Sequence, residues 1–358
     1  MELMNGYKQT DIGPIPVDWE VSTVKKEFEI CNNLRLPISE QKRKEMQGEY
    51  AYYGPTKIQD YINVFRVEGE FCLIGEDGDH FLKWLEMPMT ILANGKFNVN
   101  NHAHLIKGTK NLTAWFYYYF NNRDITNHLT RQGAGRYKLS KKSLEEIPIA
   151  LPSNKTEQNI ITNALNDADA LIGNLEKLVE KKKAIRQGTM QHLLKPKLHW
   201  STRRLEDICQ VKKGQLITDS TRVNGSVPVI AGGKTPAYFH NKANRYGKTI
   251  TISGSGASAG YVAFHSTPIF ASDCSTIEES DDYEIEFIYY VLHLYQDKIY
   301  KRQTGGAQPH IHPNDLYPIE IPFPPKLEQQ NIAKTLREMD VEIEKLHHLF
   351  AKSVLNKI

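Results

Sequence analysis

Apolar residues fall at Ile161, Leu165, Ala168, Ile172, Leu175 and Val179, in alternating steps of four and three. That spacing lays one stripe along a helix with a heptad repeat. The same steps recur at Ile332, Leu336, Met339, Ile343, Leu346 and Phe350. Each stripe predicts a long amphipathic helix. The first extends to about Leu194, which is roughly 39 residues and ~60 Å at 1.5 Å per residue. A helix well beyond ordinary globular length needs an apolar partner along its side. The two stripes match, so Ile161, Leu165, Ile172 and Leu175 are predicted to pack with Ile332, Leu336, Ile343 and Leu346 in an antiparallel coiled coil. The second copy reaches Ile358, which corresponds to about Gln187 of the first, so the last turns of the first helix have no counterpart.

The repetition is wider than the helices. "TEQNIITNALNDAD" from Thr156 matches "LEQQNIAKTLREMD" from Leu327. The Ile/Pro-rich "IPIALPSNKTEQ" and "IEIPFPPKLEQQ" precede them and read as edge strands, because proline removes a ladder donor. Upstream lie two Gly-rich segments, "RQGAGRYKLS" and "QTGGAQPHIH", and before these two aromatic runs, "WFYYYF" and "FIYYVL", read as buried helices. "GEFCLIGEDGD" faces "GKTITISGSGA", each a strand running into a glycine turn. Such a period is too long for a solenoid, whose repeats hold about 20–50 residues. Half of the chain is duplicated. The predicted class is α+β: two similar α+β domains separated by two long helices, with a pseudo-two-fold internal repeat. The predicted boundaries are 1–155, 156–195, 196–325 and 326–358.

Composition changes this picture little. The chain has 358 residues, enough for two cores, and a net charge of +3, which alone demands no polyanionic partner. Cys31, Cys72, Cys209 and Cys274 form no C-x-x-C pair, which argues for reduced thiols rather than a zinc ribbon. The N-terminal stretch lacks the apolar core of a signal peptide, and no stretch approaches the ~18 apolar residues of a membrane span. A cytoplasmic protein without membrane partners is expected.

Catalytic motifs are missing. A phosphate-binding loop needs a glycine five residues before its Gly-Lys, where Pro228 and Lys242 stand instead. The pairs His102/His104 and His310/His312 could ligate a metal, but they occupy different places in the two repeats and no Cys or carboxylate cluster accompanies them. Neither a catalytic residue nor a metal is expected.

Matched frameworks carrying different loops suggest a molecule that reads two different short features a set distance apart. Double-stranded DNA suits such a reader, because base edges present a donor–acceptor code and paired half-sites require fixed spacing. The candidate contacts are Lys57, Arg131, Gln132, Arg136 and Lys138 in the first half, and Lys234, Thr235, Gln303, Gln308 and His310 in the second. Arginine and lysine suit guanine and phosphate; glutamine suits adenine. For any one of them, a solvated loop side chain is the alternative. At the level of the whole chain, the alternative is a non-catalytic coiled-coil scaffold or protein-binding adaptor without DNA specificity. An enzyme comes third.

"YKQTDIGPIPVDWEV" (Tyr7 to Val21), "YYGPTKIQDYI", "GEFCLIGEDG", "VAFHSTPIFASD" (Val262 to Asp273) and "LPSNKTEQNII" resemble the specificity subunits of Type I restriction-modification systems over nearly the whole chain. The resemblance implies two target-recognition domains, each reading half of a split, asymmetric DNA target. It implies helices that set the unread gap and dock two methyltransferase subunits, which bind S-adenosylmethionine and methylate adenine. Restriction subunits that use ATP and Mg2+ would complete the assembly. No cofactor would then belong to this chain, and it would not itself be an enzyme.

Overall fold

Strand Phe71–Gly75 is buried along its whole length, as an unbroken apolar run requires. It lies inside a four-stranded antiparallel sheet with the order Phe28–Ile30, Ala103–Gly108, Phe71–Gly75, Thr90–Ala93. Strand Thr249–Ser253 occupies the same place in the order Lys212–Lys213, Cys274–Glu278, Thr249–Ser253, Val262–His265. This computed structural model describes residues 5–131, 136–218, 221 and 223–357. It resolves into two units, one reaching Leu171 and the other spanning Ile172–Asn356. Helices and strands are mixed in both, so the class is α+β.

Each unit carries a second sheet built to one plan. In the first the order is Ile58–Ile62, Gln47–Tyr53, Lys96–Val99, Val67–Glu68. In the second it is Tyr238–His240, Val227–Ile230, Phe270–Ala271. Both hold one parallel pair; it has an antiparallel neighbour on each side in the first unit and on one side, Tyr238–His240, in the second. Among the described residues the proline-bearing segments Pro148–Pro152 and Glu320–Phe323 pair only with Trp19–Thr23 and Ser201–Arg204. The aromatic runs form helices Thr113–Asn121 and Ile285–Leu294, whose Phe116, Phe120, Phe287 and Ile288 are buried. All four cysteines are free and buried, and burial pushes Cys209 and Cys274 up to about 12.

The long helices run over Lys155–Leu193 and Lys326–Lys357. Their first turns explain why the Glu-Gln pair is written twice. Trp19 Nε1 donates to Glu157 at 3.0 Å, and Trp200 Nε1 donates to Glu328 at 3.0 Å. The next residue, Gln158, accepts from Leu112 N, at the start of the aromatic helix, and donates to Asn111. Its counterpart Gln329 accepts from Glu284 N and donates to Pro324 O. Both glutamines are buried. Farther along, Asp169 lies 2.9 Å from Tyr118 Oη, and Asp340 accepts from Tyr290 Oη at 2.8 Å.

Seam positions follow the heptad, though with a division of labour. Ile161 packs against the first unit's core, and Ile332 and Leu336 belong to the second unit's core. Leu175 and Val179 are buried; Leu165, Ile172, Ile343 and Leu346 are half-buried. Within the second unit the two helices run antiparallel, since Arg186 bonds Asp340 at 2.9 Å and Lys182 bonds Glu342 at 2.7 Å. Met190 and Leu194, at the end of the first helix, enter that unit's core.

Leu336→Ala is expected to lower stability by ~2–5 kcal/mol, the cost of an emptied core site, in urea unfolding. Glu328 adds a pH test. Hydrogen bonds from Lys197, His199 and Trp200 hold its carboxyl at about 2 instead of 4.5. A depressed folded-state value stabilises above the unfolded value and ceases to do so as pH falls through the folded one. The stability gap between the native chain and Glu328→Gln should be open above pH 4.5 and close between 4.5 and about 2. The site is partly exposed, so the gap should stay below ~1 kcal/mol. A gap independent of pH would remove the ionised carboxylate from this account.

Candidate nucleic-acid interface

In each unit three loops converge at the end of the buried central strand. The strand turn after Gly75 receives the Gly-rich segment through Leu139 N to Glu76 O at 2.7 Å and Gly78 N to Tyr137 O at 3.0 Å. The second unit repeats both bonds, Ile311 N to Gly254 O at 2.9 Å and Gly256 N to Pro309 O at 3.0 Å. Gly78 and Gly256 have φ of 136° and 78°, a region that disfavours a side chain. The third loop joins strands of the other sheet. Pro55 approaches Gly75, and Gly232 lies against the Ser255 carbonyl. Lys57 and Lys234 stand in these third loops.

The structure therefore brings Lys57, Arg136 and Lys138 to one surface region, and Lys234, Thr235, Gln308 and His310 to the corresponding region of the other unit. Gln132 lies outside the described residues. Arg131 and Arg136 are exposed and form no ion pair among the described residues, and the Arg131 guanidinium sits 4.9 Å over the Tyr137 ring. Lys57, Lys234, Thr235 and Gln308 are also exposed.

Lys234 Nζ lies 5.4 Å over the Tyr261 ring, and Lys138, Gln303 and His310 also have structural partners. Lys138 lies 3.4 Å from Glu76, which also bonds Arg35. Burial opposes ionisation of Glu76, yet Arg35 and Lys138 hold its carboxyl below the ordinary value. Gln303 Nε2 donates to Ala259 O at 2.7 Å, fastening the Gly-rich loop to the strand turn. His310 stacks on His312 with centroids 6.2 Å apart, beside an open cleft of about 350 Å³ that Lys213 and Asp273 also line.

The histidine pairs do not assemble a cation site. His104 is buried, with Nε2 donating to Leu139 O and Nδ1 accepting from Asn32, and burial lowers its pKa. His102 bonds Asp77 at 2.8 Å. Among the described residues no group of three His, Cys, Asp or Glu side chains is placed to hold a metal. Nor is any described helix long and apolar enough to cross a membrane.

The structure adds a cleft that periodicity did not reveal. Arg43, Tyr52, Gln59, Asn100, Asn101 and His102 line about 410 Å³ beside the Lys57 loop. Its residues are scattered over four segments, which hid it. The polar run Asn98, Asn100 and Asn101, beside apolar strand residues, was the available signal.

The family model described as Type I restriction modification DNA specificity domain matches twice, over residues 16–186 and 197–349. A Haemophilus influenzae protein assigned as a type I restriction enzyme specificity subunit is 28% identical over 334 residues, covering 87% of this chain and 85% of its own. The MjaVIII specificity subunit of Methanocaldococcus jannaschii is 22% identical, covering 92% of this chain and 88% of its own. The crystal structure of a Type-I restriction-modification system S subunit from M. genitalium superposes with a TM-score of 0.75 at 18% identity, over 100% of this chain and 96% of that one.

The division between fastened and free loop side chains is testable by unfolding. Gln303→Ala strands the Ala259 carbonyl and should cost about 1 kcal/mol. Gln308→Ala should change stability by less than ~0.5 kcal/mol. Equal effects in urea titrations would contradict the assignment.

Proposed function

Because this chain belongs to the family of Type I restriction-modification DNA specificity domains, we propose that each of its units reads one half of a bipartite, asymmetric DNA target. The observation that carries this reading is the pairing of one framework with two loop chemistries. The strand-turn bonds repeat, while the positions held by Arg136 and Lys138 in one unit are held by Gln308 and His310 in the other. A framework holds the backbone near the groove, and the side chains choose the bases.

The long helices would set the unread gap and dock two methyltransferase subunits. S-adenosylmethionine, ATP and Mg2+ would be bound by those partners and by restriction subunits, leaving this chain the role of address. Arg131, Arg136, Lys57 and Lys234, all exposed, would meet phosphate or guanine, and Thr235 and Gln308 would be the neutral contacts beside them. Lys138, Gln303 and His310 would act with one part already engaged in the loop.

The deciding experiment is selection of bound duplexes from a randomised DNA library, using the chain assembled with its methyltransferase partner. Two specific blocks separated by a gap of fixed length are expected. Failure to enrich any sequence would favour the scaffold reading. For Arg131→Ala and Arg136→Ala, a bidentate guanine contact predicts a loss of about 1–3 kcal/mol and one relaxed base position. A phosphate contact predicts uniform weakening and a smaller salt slope. If both variants bind as the native chain does at every salt concentration, these arginines are solvated loop residues.

A further inference from the structure

Gln59 lies exposed in strand Ile58–Ile62, in the polar cleft beside the Lys57 loop. Its amide rests where Gly54 has no side chain, for a Cβ there would fall 2.5 Å from Cδ and Nε2. Asn100 Nδ2 donates to Gln59 Oε1 at 3.0 Å, and the backbone N–H of His102 donates to Asn100 Oδ1 at 2.8 Å. A backbone N–H can only donate, so it fixes which end of Asn100 is oxygen. Asn100 must then turn its NH2 to Gln59, and Gln59 must answer with its own oxygen. Gln59 is left with its NH2 as the group to offer a ligand. Nε2 donates to no acceptor among the described residues.

The amide pair is not part of the shared framework. Asn100 N donates to Tyr53 O at 3.0 Å, and Ser272 N makes the corresponding bond to Ile230 O at 2.8 Å. Ser272 therefore stands where Asn100 stands. Tyr238 pairs with Val229 as Asp60 pairs with Tyr52, which puts Ala237 at the position of Gln59. The second unit keeps the strands without the amides. A polar pair present in one unit and absent from its structural twin fits a role in choosing a ligand better than a role in holding the strands.

We propose that Gln59 reads a hydrogen-bond acceptor on a base edge of the first half-site, the keto oxygen of guanine or thymine, with Asn100 as the residue that positions it. This rests on the DNA-reading function proposed above. Glutamine usually matches adenine at two points, donating to N7 and accepting from N6–H. Here Oε1 is held by Asn100, which favours the keto bases.

The test is the same library selection with two variants, Asn100→Asp and Gln59→Ala. In Asn100→Asp the new carboxylate still accepts from His102 N–H but now presents an oxygen to Gln59. The Gln59 amide should reverse and turn Oε1 outward. One position of one block should then change from a keto base to an amino base, adenine or cytosine, by on the order of tenfold. Gln59→Ala should relax that same position and leave the other block intact. Should Asn100→Asp fail to fold, judged by its thermal midpoint, the exposed Gln59 position decides alone. A native two-block target that neither variant alters would overturn the proposal while leaving the DNA reading in place. Loss of all binding by a folded Gln59→Ala variant would overturn it too, since a contact common to every sequence chooses no base. Absence of any native target would instead overturn the reading beneath it.

Discussion

The grip of each long helix on its own unit depends on a buried glutamine. Gln158 and Gln329 follow the glutamate that bonds a tryptophan, and each reaches back to the start of an aromatic helix. A side-chain amide with negligible exposure would cost about 1–3 kcal/mol if either end were left unpaired. It is tolerated because it supplies the partner that the first N–H groups of a helix lack. Fewer than four turns later Asp169 and Asp340 meet tyrosines from the same aromatic helices. The helix entry is thereby tied at two points to an element packed in the core. Its departure from the unit is set by hydrogen-bond geometry as well as by apolar contact.

The same aspartate links that grip to the seam. Asp340 accepts from Tyr290 and from Arg186, whose side chain is 12% exposed. The Tyr290 hydroxyl is pushed up by burial first and by Asp340 second, so it remains a donor at physiological pH. An ion pair within an apolar stripe adds little net stability, because desolvation offsets attraction. Its value lies in register: sliding the antiparallel helices by one turn would leave Arg186 and Asp340 half-buried without partners. The apolar heptad permits several alignments, and the polar contacts select among them.

Much of this was legible because it is periodic. The four-three spacing disclosed both long helices, the segments running into glycine turns disclosed the strands Phe71–Gly75 and Thr249–Ser253 though not their burial at the sheet centre, and repetition disclosed the duplicated α+β layout. What periodicity could not assign was the work of individual polar side chains. Glu157 and Gln158 were visible as a repeated pair, but their targets, Trp19 and Leu112, lie far off or in another element. Ile332 and Leu336 fit the seam by spacing, yet the first turns of that helix face the domain core. Among loop candidates, residue type alone did not separate Gln303, fastened to Ala259, from Gln308, which is exposed. The amide cleft was hidden more deeply still, since its members come from separate strands and loops.

The loops can differ because their positions do not depend on most of their side chains. Gly78 and Gly256 take the turn, and backbone groups on both sides complete the attachment. Bonds between backbone atoms survive almost any substitution at neighbouring positions, which leaves Arg136 and Gln308 free to diverge. Where a side chain does enter the framework, the two units have solved the same local problem differently. In the first, His102 pairs with Asp77 across the strand turn; in the second, Asp273 pairs with Ser255 at the corresponding place. Exchanging one residue of such a pair without its partner would strand a polar group. The unit of change in these domains is therefore the polar pair where side chains hold the loop, and the single residue where the backbone does.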